Sequence, residues 1–415
     1  MSNLKRTLGP ISGAALMLNI VVGAGLLTLP GLAAKAAGPM AIYSWLLCAL
    51  AAIPLLLVFI IMGRRYPNAG GIAHFAEAAF GRFGYLAASF LFLGAVFFGL
   101  PAIAMTGGHY LASVIAVDPA IIALALIVIA AGTQITAPET ASKIATAIAS
   151  LIIIALLITL IIGYAGTPIE AFQTSFPMPK LANFDIILAP VLMIFFAFTG
   201  WEVAAGISEE FKNPKRDFPI AMILSFIAAT LLYLGMAVLV QVSPHATNSE
   251  AAFANIIGAV SGKIGSLSVV LIAALIILAN LMGAIWAVSR MIYSLSRENV
   301  LPLKLEVDDK GRPMGAVILL VSILSAVILM DYFNLLALET MLHIAGQNFL
   351  LLFGVSAIAL FTLTKEKTIR FVALLAAAIV ILLIFAIGQF VAYPIGLVLL
   401  AALVWRLDKK KPIAV

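Results

Sequence analysis

Long apolar runs separated by short polar turns dominate the chain, and their length rather than their periodicity identifies them. Runs near 10–36, 40–63, 83–111, 119–137, 143–166, 185–209, 217–242, 267–296, 313–331, 334–363, 369–387 and 389–407 approach or exceed the about 20 residues that carry an α-helix across a bilayer. The pattern predicts an all-α polytopic membrane protein of about twelve transmembrane helices. Glu250 to Gly265 is amphipathic and too short to cross, which predicts an interfacial element before the eighth run. In Gly63 to Phe75, Pro67 and the pair Gly70-Gly71 predict a turn. A short amphipathic helix follows, with Ile72, Phe75, Ala79 and Phe80 on one face, either as a moving gate or as a rigid connector.

Two runs are interrupted. In Asn19-Ile20-Val21-Val22-Gly23-Ala24-Gly25-Leu26-Leu27-Thr28-Leu29-Pro30-Gly31, glycines one residue apart each cost roughly 1 kcal/mol of helix stability relative to alanine, and Pro30 removes a backbone donor. Backbone that leaves the helix at membrane depth survives where protein or a polar cavity satisfies it. Freed amides there suit an anion and freed carbonyls a cation; a close helix crossing at small residues is the structural alternative. Phe195-Phe196-Ala197-Phe198-Thr199-Gly200-Trp201-Glu202 interrupts the sixth run with Gly200 and brings a carboxylate to membrane depth. If runs one to five and six to ten are two repeats, the interruptions correspond, and matched breaks point to a transport site at the midplane. Trp201 reads as a core aromatic or as a gate beside unwound backbone. Glu202 reads as a coupling carboxylate facing a cavity or as one fixed by backbone amides.

Composition sharpens the class. With 64% hydrophobic and 10% charged residues and a mean hydropathy of +1.19, the chain exposes too much apolar surface for a soluble globule. The net charge of +6 does not mark a nucleic-acid partner, because the basic residues lie in short loops rather than in a patch interleaved with aromatics. With the N-terminus inside, only Lys35, Lys180 and Lys263 of the 24 Lys and Arg residues fall outside, which predicts cytoplasmic termini. Lys5 and Arg6 precede an apolar run that continues past Pro30 without a cleavage site, so this run reads as a retained first span. Cys48, the one cysteine, reads as a packing residue, and the four histidines have no metal-ligand spacing. No HExxH or GxSxG pattern is present, and no enzyme is expected.

Val22-Gly23-Ala24-Gly25-Leu26, Tyr66-Pro67-Asn68-Ala69-Gly70-Gly71, Gly200-Trp201-Glu202 and Glu210-Phe211-Lys212-Asn213-Pro214 together resemble the amino acid-polyamine-organocation (APC) permeases. Gly63 to Phe75 and Ser208 to Pro219 most resemble the bacterial exporters of L-methionine and branched-chain amino acids, and the resemblance covers nearly the whole chain. It implies a LeuT-type fold in a single transmembrane domain: a 5+5 inverted repeat, with repeats near 10–166 and 185–363, plus a C-terminal helix pair near 369–407. It further implies that a substrate carboxylate meets the amides of Gly23, Ala24 and Gly25. The ammonium meets carbonyls of Ile20 or Val21 and of Phe198 or Thr199 beside Gly200, and Trp201 closes over the substrate. Some relatives place a lysine within the fifth span; here nothing basic lies between Lys143 and Lys180, so no lysine relay is expected. Proton coupling would pass to Glu202, Glu339 and His343, the last two on one helical face. Sodium, which Ser289 and Ser294 of the eighth run only weakly suggest, is the less favoured ion. No resident cofactor or metal is expected.

Apart from Glu202, the candidate pocket residues Phe97, Phe98, Phe196, Phe198 and Trp286 are apolar, which favours a neutral, apolar amino acid. The expected protein is a secondary active transporter of the bacterial inner membrane, monomer or homodimer, exporting methionine, leucine, isoleucine and valine by alternating access. An importer or exchanger of the same fold is the alternative in mechanism. A sensor or structural membrane subunit is the alternative in class.

Overall fold

Among the described residues every regular element is helical except one isolated bridge between Leu8 and Phe211. The structure is a computed structural model and describes residues 8–23, 25–65, 71–135, 153–201, 208, 211–246, 250–309, 312–387 and 390–408. The helices are α1 (Pro10–Val21), α2 (Gly25–Ala37), α3 (Ala41–Arg65), α4 (Gly71–Ala112), α5 (Pro119–Gly132) and α6 (Ile153–Ala165). There follow the short α7 (Ile169–Thr174), α8 (Phe184–Leu188) and α9 (Val191–Phe195), the last running into a 3-10 turn at Phe196–Phe198. The remainder are α10 (Asp217–Val242), α11 (Ala252–Arg297), α12 (Met314–Tyr332), α13 (Leu338–Leu363), α14 (Lys367–Ile387) and α15 (Ala392–Asp408). Seven stretches of these are long and apolar enough to cross a membrane. One of them, Gly25–Arg65, turns a corner at Gly38, whose φ of +52° suits glycine.

The starts follow local sequence. Pro10 opens α1 behind Gly9, whose amide donates to Ser12 Oγ at 3.0 Å; Pro119 opens α5 behind Asp118, which accepts from the Ala120 amide at 2.8 Å. Two long helices bend at a glycine in the left-handed region: α4 at Gly81 (φ 64°, ψ −154°) and α11 at Gly262 (φ 69°, ψ −167°). Nothing crowds either glycine, so backbone conformation alone requires it.

The short helix before Gly81 was expected to bury Ile72, Phe75, Ala79 and Phe80. Ile72, Phe75 and Ala76 are buried, but Phe80 is exposed, because it is turned well away from Phe75 at 100° per residue. Before Gly262 the expected separate element exists, and it buries Phe253, Ile256 and Ile257 against the protein. α12 and α14 begin within two residues of expectation; α13 begins at Leu338, after a turn in which Asn334 takes φ +57°.

α13 lies along α4 and against α9. Phe349 packs edge-on to Phe92 at 6.1 Å, Phe353 edge-on to Phe195 at 5.6 Å, and Gly346 meets the Leu192 carbonyl with no room for a Cβ. Cys48 is buried and directs its thiol to the Val191 carbonyl at 3.3 Å, consistent with packing. Among the described residues of the segment after the second interruption, two rings fill space over glycines of other helices. Phe211 fills the space over Gly13, Phe218 that over Gly63, and the two rings meet at 5.7 Å; the Lys212 amide donates to the Leu8 carbonyl at 2.9 Å.

Ionic clusters mark opposite ends of α11 and α13. At one end Arg82 meets Glu298 at 2.6 Å, Tyr85 and Ser294 donate to the same carboxylate, and Arg65 pairs with Glu366 at 2.5 Å. At the other, Lys35 meets Glu339 at 2.8 Å and Glu250 at 3.6 Å.

Candidate functional site

The first interruption is a true break. The Val22 amide still donates to Leu18 at 2.8 Å, but Val22 itself is extended (φ −76°, ψ 91°), and a new helix starts at Gly25. The C-terminal end of α1 and the N-terminal end of α2 are thus separated by three residues, a juxtaposition of partial negative and partial positive ends. The second interruption is as sharp. After the 3-10 turn Phe196–Phe198, Thr199 is extended and Gly200 takes φ +105°, a conformation that favours glycine. Thr199 caps that turn, its hydroxyl donating to the Phe196 carbonyl at 2.8 Å.

The two breaks meet. A Cβ on Gly25 would stand 3.4 Å from the Phe196 ring, one on Gly99 2.9 Å from its other edge, and Phe349 lies 6.2 Å away, so Phe196 sits between α2, α4 and α13. On another side, Tyr233 of α10 donates its buried hydroxyl to the Val21 carbonyl at 3.1 Å and meets Phe198 edge-on at 5.3 Å. Trp45, Phe226 and Trp201 complete an aromatic cluster with Phe198, with Trp201 5.7 Å from Phe226. Tyr110 of α4 donates to the Leu27 carbonyl at 2.8 Å and steadies α2.

Burial differs among the residues around the two breaks. Val22, Leu26, Phe198 and Trp201 are each about fully buried at 1% exposure, whereas Gly23, Gly25, Phe196, Thr199, Gly200 and Asn280 are only partly buried. The structure thus brings Val21, Gly23, Gly25, Phe198, Thr199, Gly200 and Trp201 together. Ile20 lies in the last turn of α1, while Ala24 and Glu202 lie outside the described residues.

Other expectations resolve differently. Trp286 does not line the breaks: it is 42% exposed, and the Arg290 guanidinium stacks on it at 3.9 Å. Phe98 turns to Tyr393 of α15 at 5.3 Å. Glu339 is the second residue of the candidate span Leu338–Leu363 and gives its carboxylate to Lys35, while His343 one turn on is partly buried. Ser289 and Ser294 spend their hydroxyls on their own helix, on the Trp286 carbonyl and on Glu298. Tyr233, Tyr110 and Asn280 were missed; the signal for each is a polar side chain inside an apolar run.

A helical membrane protein in which two interrupted helices meet around a small accessible space has the architecture of a carrier. The chain belongs to the amino acid permease family, whose model matches residues 8–405. It is 34% identical over 249 residues to the L-methionine/branched-chain amino acid exporter YjeH of Escherichia coli (strain K12), covering 58% of this chain and 57% of that protein. It is 28% identical over 313 residues to the uncharacterized amino acid permease YecA of Bacillus subtilis (strain 168), covering 73% and 72%. To the branched-chain amino acid permease BcaP of Lactococcus lactis subsp. cremoris it is 29% identical over 317 residues, covering 69% and 68%. The match to YjeH therefore spans little more than half of either chain.

Proposed function

We propose that this permease is a secondary transporter of neutral, apolar L-amino acids that works by alternating access, with net export of methionine, leucine, isoleucine and valine. The observation that carries the reading is the meeting of the two breaks at Phe196 and Tyr233, which offers backbone amides and carbonyls to an α-amino acid beside apolar rings. The carboxylate takes the amides at Gly25 and its neighbours, the ammonium the carbonyls near Val21 and Phe198, and the side chain the rings. Trp201 serves as the gate. The names of YjeH and BcaP support the substrate class, and that of YjeH the direction.

The fold belongs to this proposal as a LeuT-type 5+5 inverted repeat of about twelve spans with a C-terminal pair. The paired breaks at Gly23 and Gly200 and the paired bends at Gly81 and Gly262 support it. Both termini are cytoplasmic in the bacterial inner membrane, in line with the scarcity of Lys and Arg at the Lys35 end. Proton coupling through Glu202, Glu339 or His343 is part of the same reading.

Purified protein in liposomes preloaded with labelled L-methionine, L-leucine or L-arginine tests it. Stereospecific methionine and leucine efflux that responds to an imposed pH gradient is expected. Arginine-only flux overturns the apolar pocket, and absence of any flux overturns transport of this class. Countertransport without net flux would instead identify an exchanger.

A further inference from the structure

The straight part of α11 runs from the bend at Gly262 to Arg297, and Asn280 stands at its middle. A carboxamide at the centre of a membrane-crossing helix is costly unless it meets a polar partner or lines a cavity. The Asn280 side chain makes no hydrogen bond among the described residues, although its neighbours Ile277 and Leu281 are buried in the bundle. Its Nδ2 lies 3.1 Å from where a Cβ on Gly23 would be, so the amide is held against the broken backbone of the first span. Asn280, Gly23, Gly25 and Phe196 also all keep accessible surface.

We infer that Asn280 is a substrate-binding residue that donates its side-chain amide to the carboxylate of the transported amino acid, beside the backbone amides at the first break. This inference rests on the transport reading above and adds a side-chain determinant from a third helix to a site otherwise made of backbone. It explains why a polar residue occupies the middle of α11 and why its amide is directed at Gly23. It also makes the carboxylate, more than the side chain, the group that α11 recognises.

The test compares L-methionine with L-methioninol, which keeps the ammonium and side chain and lacks the carboxylate. Liposome counterflow is measured for wild type, Asn280→Ala and Asn280→Ser. Asn280→Ala is expected to raise KM for L-methionine about tenfold, the order of one hydrogen bond to a charged group, with maximal rate held within about twofold. Its inhibition by L-methioninol is expected to stay as in wild type, and Asn280→Ser, which keeps a donor, to fall between. Should Asn280→Ala fail to assemble, Asn280→Ser carries the same comparison. An unchanged methionine KM overturns the inference, and so does a parallel loss for methioninol, which would mark a structural amide. Wild-type protein that moves no amino acid would instead overturn the transport reading itself, so the two failures are distinct.

Discussion

Replacing Gly25 by valine is the most direct perturbation of the break. A Cβ there would lie 3.2 Å from Leu29 Cδ1, 3.4 Å from Phe196 Cδ1 and 3.7 Å from Phe196 Cε1. Ordinary carbon contacts lie at about 3.5–4.0 Å, so one methyl is absorbed by small shifts of two side chains. Valine adds two methyls that reach about 1.5 Å further, into the accessible space between α2 and Phe196. Gly25 is not among the glycines with positive φ, so its backbone accepts a side chain. Gained helix propensity of up to about 1 kcal/mol then offsets part of an overpacking cost of about 1–3 kcal/mol, and folding survives. Binding does not, because the methyls occupy the place of the carboxylate. Losing two hydrogen bonds to a charged group at about 1.5 kcal/mol each corresponds to at least about a hundredfold loss of affinity. Thermal unfolding of the purified protein checks the fold, and calorimetric titration with L-methionine checks binding. A folded Gly25→Val protein whose affinity stays within about threefold of wild type refutes the site.

Tyr233→Phe removes a buried hydroxyl that donates to Val21 at 3.1 Å and is expected to cost about 1 kcal/mol of stability, read as a lowered unfolding midpoint. An unchanged midpoint would mean that the bond does not hold the end of α1. Gly346→Ala sets a Cβ against the Leu192 carbonyl, a backbone atom that no rotamer change can move, and should lower stability by about 1–3 kcal/mol or prevent assembly. Normal thermal stability of that variant would contradict the contact between α13 and α9. Lys35→Ala breaks pairs to Glu339 and Glu250, but with Lys35 54% exposed it should change stability by less than about 1 kcal/mol, and less again in high salt. A larger loss that salt leaves intact would show that the cluster is buried more deeply than its exposure implies.

The all-helical class and both breaks were legible because their signals are local. Run length marks a span without knowledge of its neighbours, and a glycine that must take φ +105°, as Gly200 does, interrupts a run whatever surrounds it. What stayed hidden is which way each helix turns. α10 and α11 are apolar on nearly every face, since one side meets lipid and the other protein, so no amphipathic stripe points inward. Residue type alone therefore points Trp286 to the pocket, whereas the structure leaves it 42% exposed under Arg290. The signal these helices carry toward the break lies in two of their polar residues, Tyr233 on α10 and Asn280 on α11. Each is turned to the first break, where hydrocarbon offers no competing partner.

The same contrast distinguishes the two ends of the bundle. At the Arg82 end, the Glu298 cluster and the Arg65–Glu366 pair lie at the same ends of α11 and α13, and Phe218 is buried over Gly63 at the last turn of α3. Separating that end exposes aromatic surface, at about 25 cal/mol for each Å². At the Lys35 end the half-helix α2 is tied to Glu250 and Glu339 through a largely exposed ammonium, with the Thr28 hydroxyl donating to the Glu250 carbonyl at 3.1 Å. Exposed ion pairs of this kind contribute up to about 1 kcal/mol and are screened by salt. Burial of Leu26, Leu29 and Leu32, more than these pairs, therefore holds α2 against its neighbours. Movement of α2 away from them would also draw Gly25 away from Phe196, coupling opening at that end to the geometry of the break.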